Sequence, residues 1–292
     1  MSGCGGCGSG ISGLGGGSSG LTQIDTGNTI WVDAVFGNDA TGTVNRQDLP
    51  FLTIMAALAI ATPTTTVVVR PGTYDENVVM PARVTMVGVS KGSIIAAATG
   101  VSLTFSDQSA HVSNMQIQAS GGALGVAAVT FSGLSLTTCT LADAYIQADA
   151  PAGAVLSGTG QARDAIINLD NVVIENRNFT CIVQDRGESR IRDCFTSGRF
   201  GANVDRSIMR VEDSRFFGQT TGLIIGTTGT VEADPATRWN TITIAGGGVL
   251  TYDGTGISPQ YVPASLLNWA GVPPVDVSTA LDRIAAALGP IP

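Results

Sequence analysis

Residues 165–217 read AIINLDNVVIENRNFTCIVQDRGESRIRDCFTSGRFGANVDRSIMRVEDSRFF. Three times within this stretch an alternating apolar run ends in a polar turn residue and a small one: Asp170-Asn171-Val172, Asp193-Cys194-Phe195 and Asp213-Ser214-Arg215. Further toward the N-terminus, Ser113-Asn114-Met115 and Thr138-Cys139-Thr140 have the same character, and the middle residues of the five segments are 25, 32, 23 and 20 positions apart. Such a spacing suits a solenoid in which each repeat is one coil, with longer coils where a loop bulges out. A sandwich of antiparallel strands would carry turn signals every 8–12 residues or so and hairpin dipeptides. Here there is no Asn-Gly, and the one Asp-Gly is Asp253-Gly254. The spacing therefore predicts an all-β, single-stranded, right-handed parallel β-helix. Stacked coils would align Asn114, Cys139, Asn171 and Cys194 as a ladder, with equivalent positions about 4.8 Å apart.

Composition agrees with a packed chain. Of 292 residues, 43% are hydrophobic and 13% charged, the reverse of a disordered segment. The formal net charge of −8 repels phosphate backbones, so no nucleic-acid partner is expected. No apolar run reaches the length of a membrane span. The start, MSGCGGCGSGISGLGGGSSG, has neither the cationic region nor the apolar core of a signal peptide, so synthesis in the cytoplasm is expected. Cys139, Cys181 and Cys194 lie in strand-like runs and read as small core residues. Cys4 and Cys7 have C-x-x-C spacing but no second pair to complete a zinc site; they suit a passive tail, or a metal-binding or cross-linking role shared between subunits. No metal or cofactor is expected.

Four zones follow. Residues 1–28 form a Gly/Ser-rich tail suited to attachment. Residues 29–66 hold a strand and a helix, the latter with Leu52, Met55, Ala56 and Ala59 on one face and Pro63 as its stop. Residues 67–258 are the β-helix. Residues 259–292 are a linker and a short amphipathic helix, where Val277, Leu281, Ile284 and Leu288 step by 4, 3 and 4 as an oligomerisation seam. A helix this short needs a docking surface, either the solenoid's end or other copies around a three-fold axis.

The opening segment carries a family resemblance. Trp31-Val32-Asp33, then GNDATGT (37–43), PFLTI (50–54) and Ala56-Ala57-Leu58, lead into VVVRPGTYDENVVMPARVTMVGV (67–89). This resembles the pectin-lyase-like β-helix superfamily, in particular phage tail-spike and other virion β-helix proteins. The resemblance implies a capping helix at about Phe51–Ala61, closing an end whose strand edges would otherwise be open. LNWAGVPP (267–274) and VDVSTALDRIAAALG (275–289) look like C-terminal segments of phage structural proteins. Together these imply a virion-associated spike, fibre or tail or capsid appendage. It would be homotrimeric, joined to other virion proteins through its N-terminal tail and engaged in host attachment, with host surface glycan as a further partner.

The alternative implied by the same superfamily is a polysaccharide-degrading tail-spike enzyme. Glycoside hydrolysis needs two carboxyls flanking the scissile bond, and Asp170, Asp193 and Asp213, at equivalent places in successive segments, are the candidates, with Glu212 and Arg192 beside them. Each aspartate equally suits a turn cap. His111, the one histidine, reads as a surface turn residue. Arg186 and Arg190 near Asp185 and Glu188 could serve a lyase or form a solvated cluster on one loop. Phe195 and one of Phe216 and Phe217 are expected to point into the core. No catalytic constellation is complete.

Overall fold

The computed structural model describes residues 28–97, 100–105, 109–119, 127–131, 138–149, 153–157, 166–245 and 247–252. Within them the chain winds as a parallel β-solenoid. On the first face ten strands pair in chain order, from Thr29–Val32 to Val249–Tyr252, and every pairing is parallel. Nine steps of about 4.8 Å make this face roughly 43 Å long. From the second strand on, successive ladder partners are Thr66, Thr85, His111, Thr140, Asn168, Arg190, Arg210, Glu232 and Thr251, so coils run 19 to 29 residues. Each coil then crosses a second and a third face. In the later coils, Val173–Gln184, Phe195–Val204 and Arg215–Ile225 run through both, bent by register shifts at Asn176/Thr180 and Gly198/Phe200. Gly218 sits at such a bend: a Cβ there would lie 1.9 Å from the Thr221 carbonyl oxygen.

Alternation along each strand sends every second side chain inward. Val67, Met86, Val112, Leu141, Leu169, Ile191, Val211 and Val231 line the first face from inside. Phe105 and Phe131, paired across the third face, stack with centroids 4.6 Å apart and planes 7° from parallel. Phe216 is also buried, stacking on Trp239. Phe195 does not join the core, since it is 36% exposed and leans on the exposed Phe217. The inward position following the turn belongs to Cys194, which leaves Phe195 facing out.

One feature organises the coil. Asn114, Asp143, Asn171, Asp193 and Asp213 all have φ between 45° and 54°, the left-handed region that Asn and Asp tolerate best. Each forms a single-residue corner: a first-face strand ends before it, the residue after it (Met115, Ala144, Val172, Cys194, Ser214) is buried, and a second-face strand starts next. The stretches Val112–Ile117, Ile166–Ile174, Ser189–Phe195 and Ser207–Phe217 are therefore each two strands and a corner. Corners are tied vertically, Asn114 N to Ala142 O (3.1 Å), Asp143 N to Asp170 O (2.9 Å) and Asn171 N to Arg192 O (2.9 Å). The Asn171 side-chain amide donates to Asp143 Oδ1 at 2.7 Å.

The expected ladder is corrected accordingly. Asn114 and Asn171 hold corner positions, but Cys139 lies inside strand Thr138–Ala142 opposite Ile167, and Cys194 is the buried residue after a corner. A thiol has no short polar arm to support positive φ, so the aspartates take the corners instead. Asn171→Gly should leave stability within a few tenths of a kcal/mol, whereas Asn171→Val, which forces a β-branched residue into left-handed backbone, should cost about 1–2 kcal/mol. Urea titration of the two variants checks this.

A single helix occurs among the described residues, Ile54–Ala59, touching strands Thr29–Val32, Thr66–Val69 and Val78–Met80. It buries Ile54, Ala57 and Leu58, while Leu52 and Met55, on the face read from the sequence spacing, are exposed. Phe51 is held in a bridge to Val32, which delays the helix until after the N-cap Thr53. Two carboxylates take up the free amides: Asp39 accepts from Leu52 and Thr53, and Glu76 from Ile54 and Met55, at 2.7–2.9 Å. This satisfies donors that a helix start leaves open.

The tail with Cys4 and Cys7 and the segment with Val277, Leu281, Ile284 and Leu288 lie outside the described residues. No helix among the described residues is long and apolar enough to cross a membrane.

Candidate functional site

The outer surface of the first face carries a network of charged side chains. Side chains there project at rungs about 4.8 Å apart. One column runs Ala142, Asp170, Arg192, Glu212, and the next runs Thr140, Asn168, Arg190, Arg210, Glu232. Arg192 grips Asp170 with two contacts, at 3.2 and 2.6 Å. Arg210 bridges two coils, reaching Glu232 at 2.7 Å on one side and Glu188 on the other. Glu188 also receives Arg190 at 3.0 Å. Burial works to raise the Glu188 carboxyl, but Arg210 and Arg190 together hold it below the usual carboxylate range.

Asp170, Asp193 and Asp213 are not equivalent, contrary to their place in the sequence pattern. Asp170 is an outward strand residue in register with Arg192. Asp193 and Asp213 are corner residues, in the column of Asn114, Asp143 and Asn171. The segments are offset by one residue, because Asp170 precedes its corner residue whereas Asp193 is one. Asp170 has both oxygens on Arg192, and the corner aspartates hold left-handed turns.

His111 is half-buried at the head of strand His111–Ser113, with Thr85 and Thr140 above and below it, rather than on a surface turn. Burial pushes its imidazole below the ordinary value, with Asp143 and Asp170 pulling the other way. Lys91 reaches over a coil to donate to the Asp143 carbonyl, and burial pushes its ammonium down as well. The long sequence separation between Lys91, His111, Asp143 and Asp170 hid this grouping. Among the described residues no set of three or more His, Cys, Asp and Glu side chains is placed to hold a metal.

The charged stretch around Arg186 is likewise split by the coil. Arg190 joins the first-face flank, while Asp185 pairs with Arg206 of the next coil, the Arg206 Nε lying 2.8 Å away. On the second face, Phe195 and Phe217 form an exposed aromatic pair with centroids 5.9 Å apart. Nearby rungs carry Tyr145, whose hydroxyl donates to Glu175 at 2.7 Å.

Cys139, Cys181 and Cys194 are buried thiols that form no disulfide. Burial pushes the Cys181 and Cys194 thiols up to about 12, and only a thiolate is nucleophilic. Iodoacetamide at pH 8 should leave both unmodified in the folded protein and modify both in urea, as peptide mapping by mass spectrometry will show.

A family model matches residues 35–233, and the chain belongs to that family, described as Protein of unknown function (DUF1565). No curated protein matches the sequence. Among solved structures the chain is similar to pectin methylesterase from carrot, with 13% identity over 94% of this chain and 99% of that one, at a TM-score of 0.44. It is also similar to pectin methylesterase PemA from Erwinia chrysanthemi, with 10% identity, coverage of 85% and 96%, and a TM-score of 0.41. A GH136 lacto-N-biosidase from Eubacterium ramulus matches at 7% identity, coverage of 79% and 68%, and a TM-score of 0.27.

Proposed function

We propose that the chain is a rigid solenoid shaft that meets polysaccharide with its flank, as a spike, fibre or tail or capsid appendage of an assembled virion. The observation that carries this reading is how the flank's side chains are deployed. Arg192, Arg206 and Arg210 brace one coil against the next, while the side chains left facing outward nearby include the aromatic pair Phe195 and Phe217. Bracing suits a shaft, and exposed aromatic rings suit the apolar faces of sugar rings. The helix Ile54–Ala59 would close one end. Val277, Leu281, Ile284 and Leu288 would join three copies, and Cys4 and Cys7 would secure the tail to neighbouring virion proteins after assembly in the host cytoplasm.

Light scattering of the full chain at micromolar concentration tests the assembly. A trimer is expected, reduced to monomer by Leu281→Asp with Ile284→Asp; a stable monomer of the unmodified chain sinks it. Co-sedimentation with insoluble polysaccharide tests the flank, and Phe217→Ser should weaken it. A second reading, favoured by the grouping of His111, Lys91, Asp143 and Asp170, is an enzyme acting on host surface glycan. New reducing ends or unsaturated sugars, lost in His111→Ala, would establish it.

A further inference from the structure

The corner between the third and first faces holds a cavity of about 710 Å³, lined by Arg186, Gly187, Arg206, Ser207, Ile208, Thr228 and Thr230. That volume falls within the range of small-ligand sites. These residues come from three consecutive coils: Glu188, Ile208 and Thr230 are ladder partners on adjacent rungs. The two arginines differ in their engagements. Arg206 lies between Asp185 and Asp205, so its charge is compensated. Arg186 is exposed and makes no hydrogen bond or ion pair with any described residue. The nearest first-face carboxylate, Glu188, is already taken by Arg190 and Arg210.

We propose that this cavity binds an acidic saccharide, with Arg186 receiving its carboxylate. A guanidinium presents five donors in a planar fork that matches a carboxylate at two points. Thr228 and Thr230 offer hydroxyls that both donate and accept, as sugar hydroxyls require, and the exposed Ile208 offers an apolar floor for a ring face. The compensated Arg206 adds directional donors without making the site cationic overall. A neutral sugar would leave the Arg186 fork unmatched, and a bare inorganic anion would leave the floor and hydroxyls unused. The site lies on a different corner from the aromatic pair and rests on the polysaccharide reading only for its ligand class.

Isothermal titration of the full chain with trigalacturonate, galactotriose and inorganic sulfate tests it. Trigalacturonate should bind at least tenfold more tightly than either control. Arg186→Gln should weaken it at least tenfold, while Arg46→Gln, at an exposed ion pair with Asp48 in the first coil, leaves it unchanged. Should Arg186→Gln fail to fold, Arg186→Lys, which keeps the charge but loses the fork, should still weaken binding severalfold. Equal binding of galactotriose or sulfate, or undiminished binding in the Arg186 variants, overturns the site. Loss in Phe217→Ser alone would move binding to the aromatic flank, overturning this site while leaving the proposed function standing. No saccharide binding at all would overturn both.

Discussion

Phe131→Ala should lower stability by about 3–5 kcal/mol, the range for removing a large aromatic from a core that cannot close around the gap. The ring is fully buried, stacked on Phe105 and in register with it across a parallel ladder. Strand spacing is fixed by main-chain hydrogen bonds, so the coils above and below cannot move in to fill the space. Phe217→Ala, by contrast, removes a ring that is 43% exposed and should cost about 1 kcal/mol or less. Urea unfolding followed by circular dichroism measures both. A loss below about 1 kcal/mol for Phe131→Ala would mean that the stack does not support the middle coils. Since each coil touches mainly its neighbours, the loss should appear as earlier local unfolding around coils 103–157 as well as in the overall midpoint.

The second large effect concerns the first coil. Asp33, with only 8% of its side chain exposed, accepts from the amides of Val35 (2.9 Å) and Phe36 (3.0 Å) and pairs with Arg70 at 2.9 Å. Arg70 also lies over the Trp31 ring, and its carbonyl accepts from the Tyr74 hydroxyl. Asp33→Asn leaves the guanidinium without its counter-charge and should cost about 2–3 kcal/mol. The sign of the pH effect follows from the carboxyl. Burial works to raise it, but the Phe36 amide, Arg70 and the Val35 amide together hold it below the ordinary aspartate value. A depressed carboxyl stabilises the fold above the unfolded value near 3.9, and that stability is lost as pH falls through the lower folded value. The unmodified protein should therefore lose stability more steeply on acidification than Asp33→Asn. Parallel slopes between pH 5 and 2 would show that Asp33 contributes nothing at this step.

Much of this architecture is legible in residues 165–217, where one coil of sequence nearly repeats the last. What periodicity could not show was phase. Asp170-Asn171 and Asp193-Cys194 look alike as a polar residue before a strand, yet the corner falls on the second residue in one and the first in the other. Only the register of the ladder separates them. The misreading of Phe195 follows from the same ambiguity, because shifting the corner by one residue turns the following strand over. The His111 grouping and the cavity at Arg186 had no linear signal at all, since both assemble residues from separate coils. The dual carboxylate cap on Ile54–Ala59 was equally hidden, because Asp39 and Glu76 approach it from opposite sides in sequence. A helix was readable near Phe51–Ala61, but not its late start at Ile54, which depends on Phe51 being held against Val32.

The corner between first and second faces is one residue long in every coil from Asn114 to Asp213, although those coils range from 20 to 29 residues. All variation in length is thereby expelled to the other two corners. The solenoid behaves like a bound book: one edge is stitched at constant pitch, and each leaf may be cut to its own outline on the opposite side. New surface can thus be added to a single coil without disturbing the registration of its neighbours.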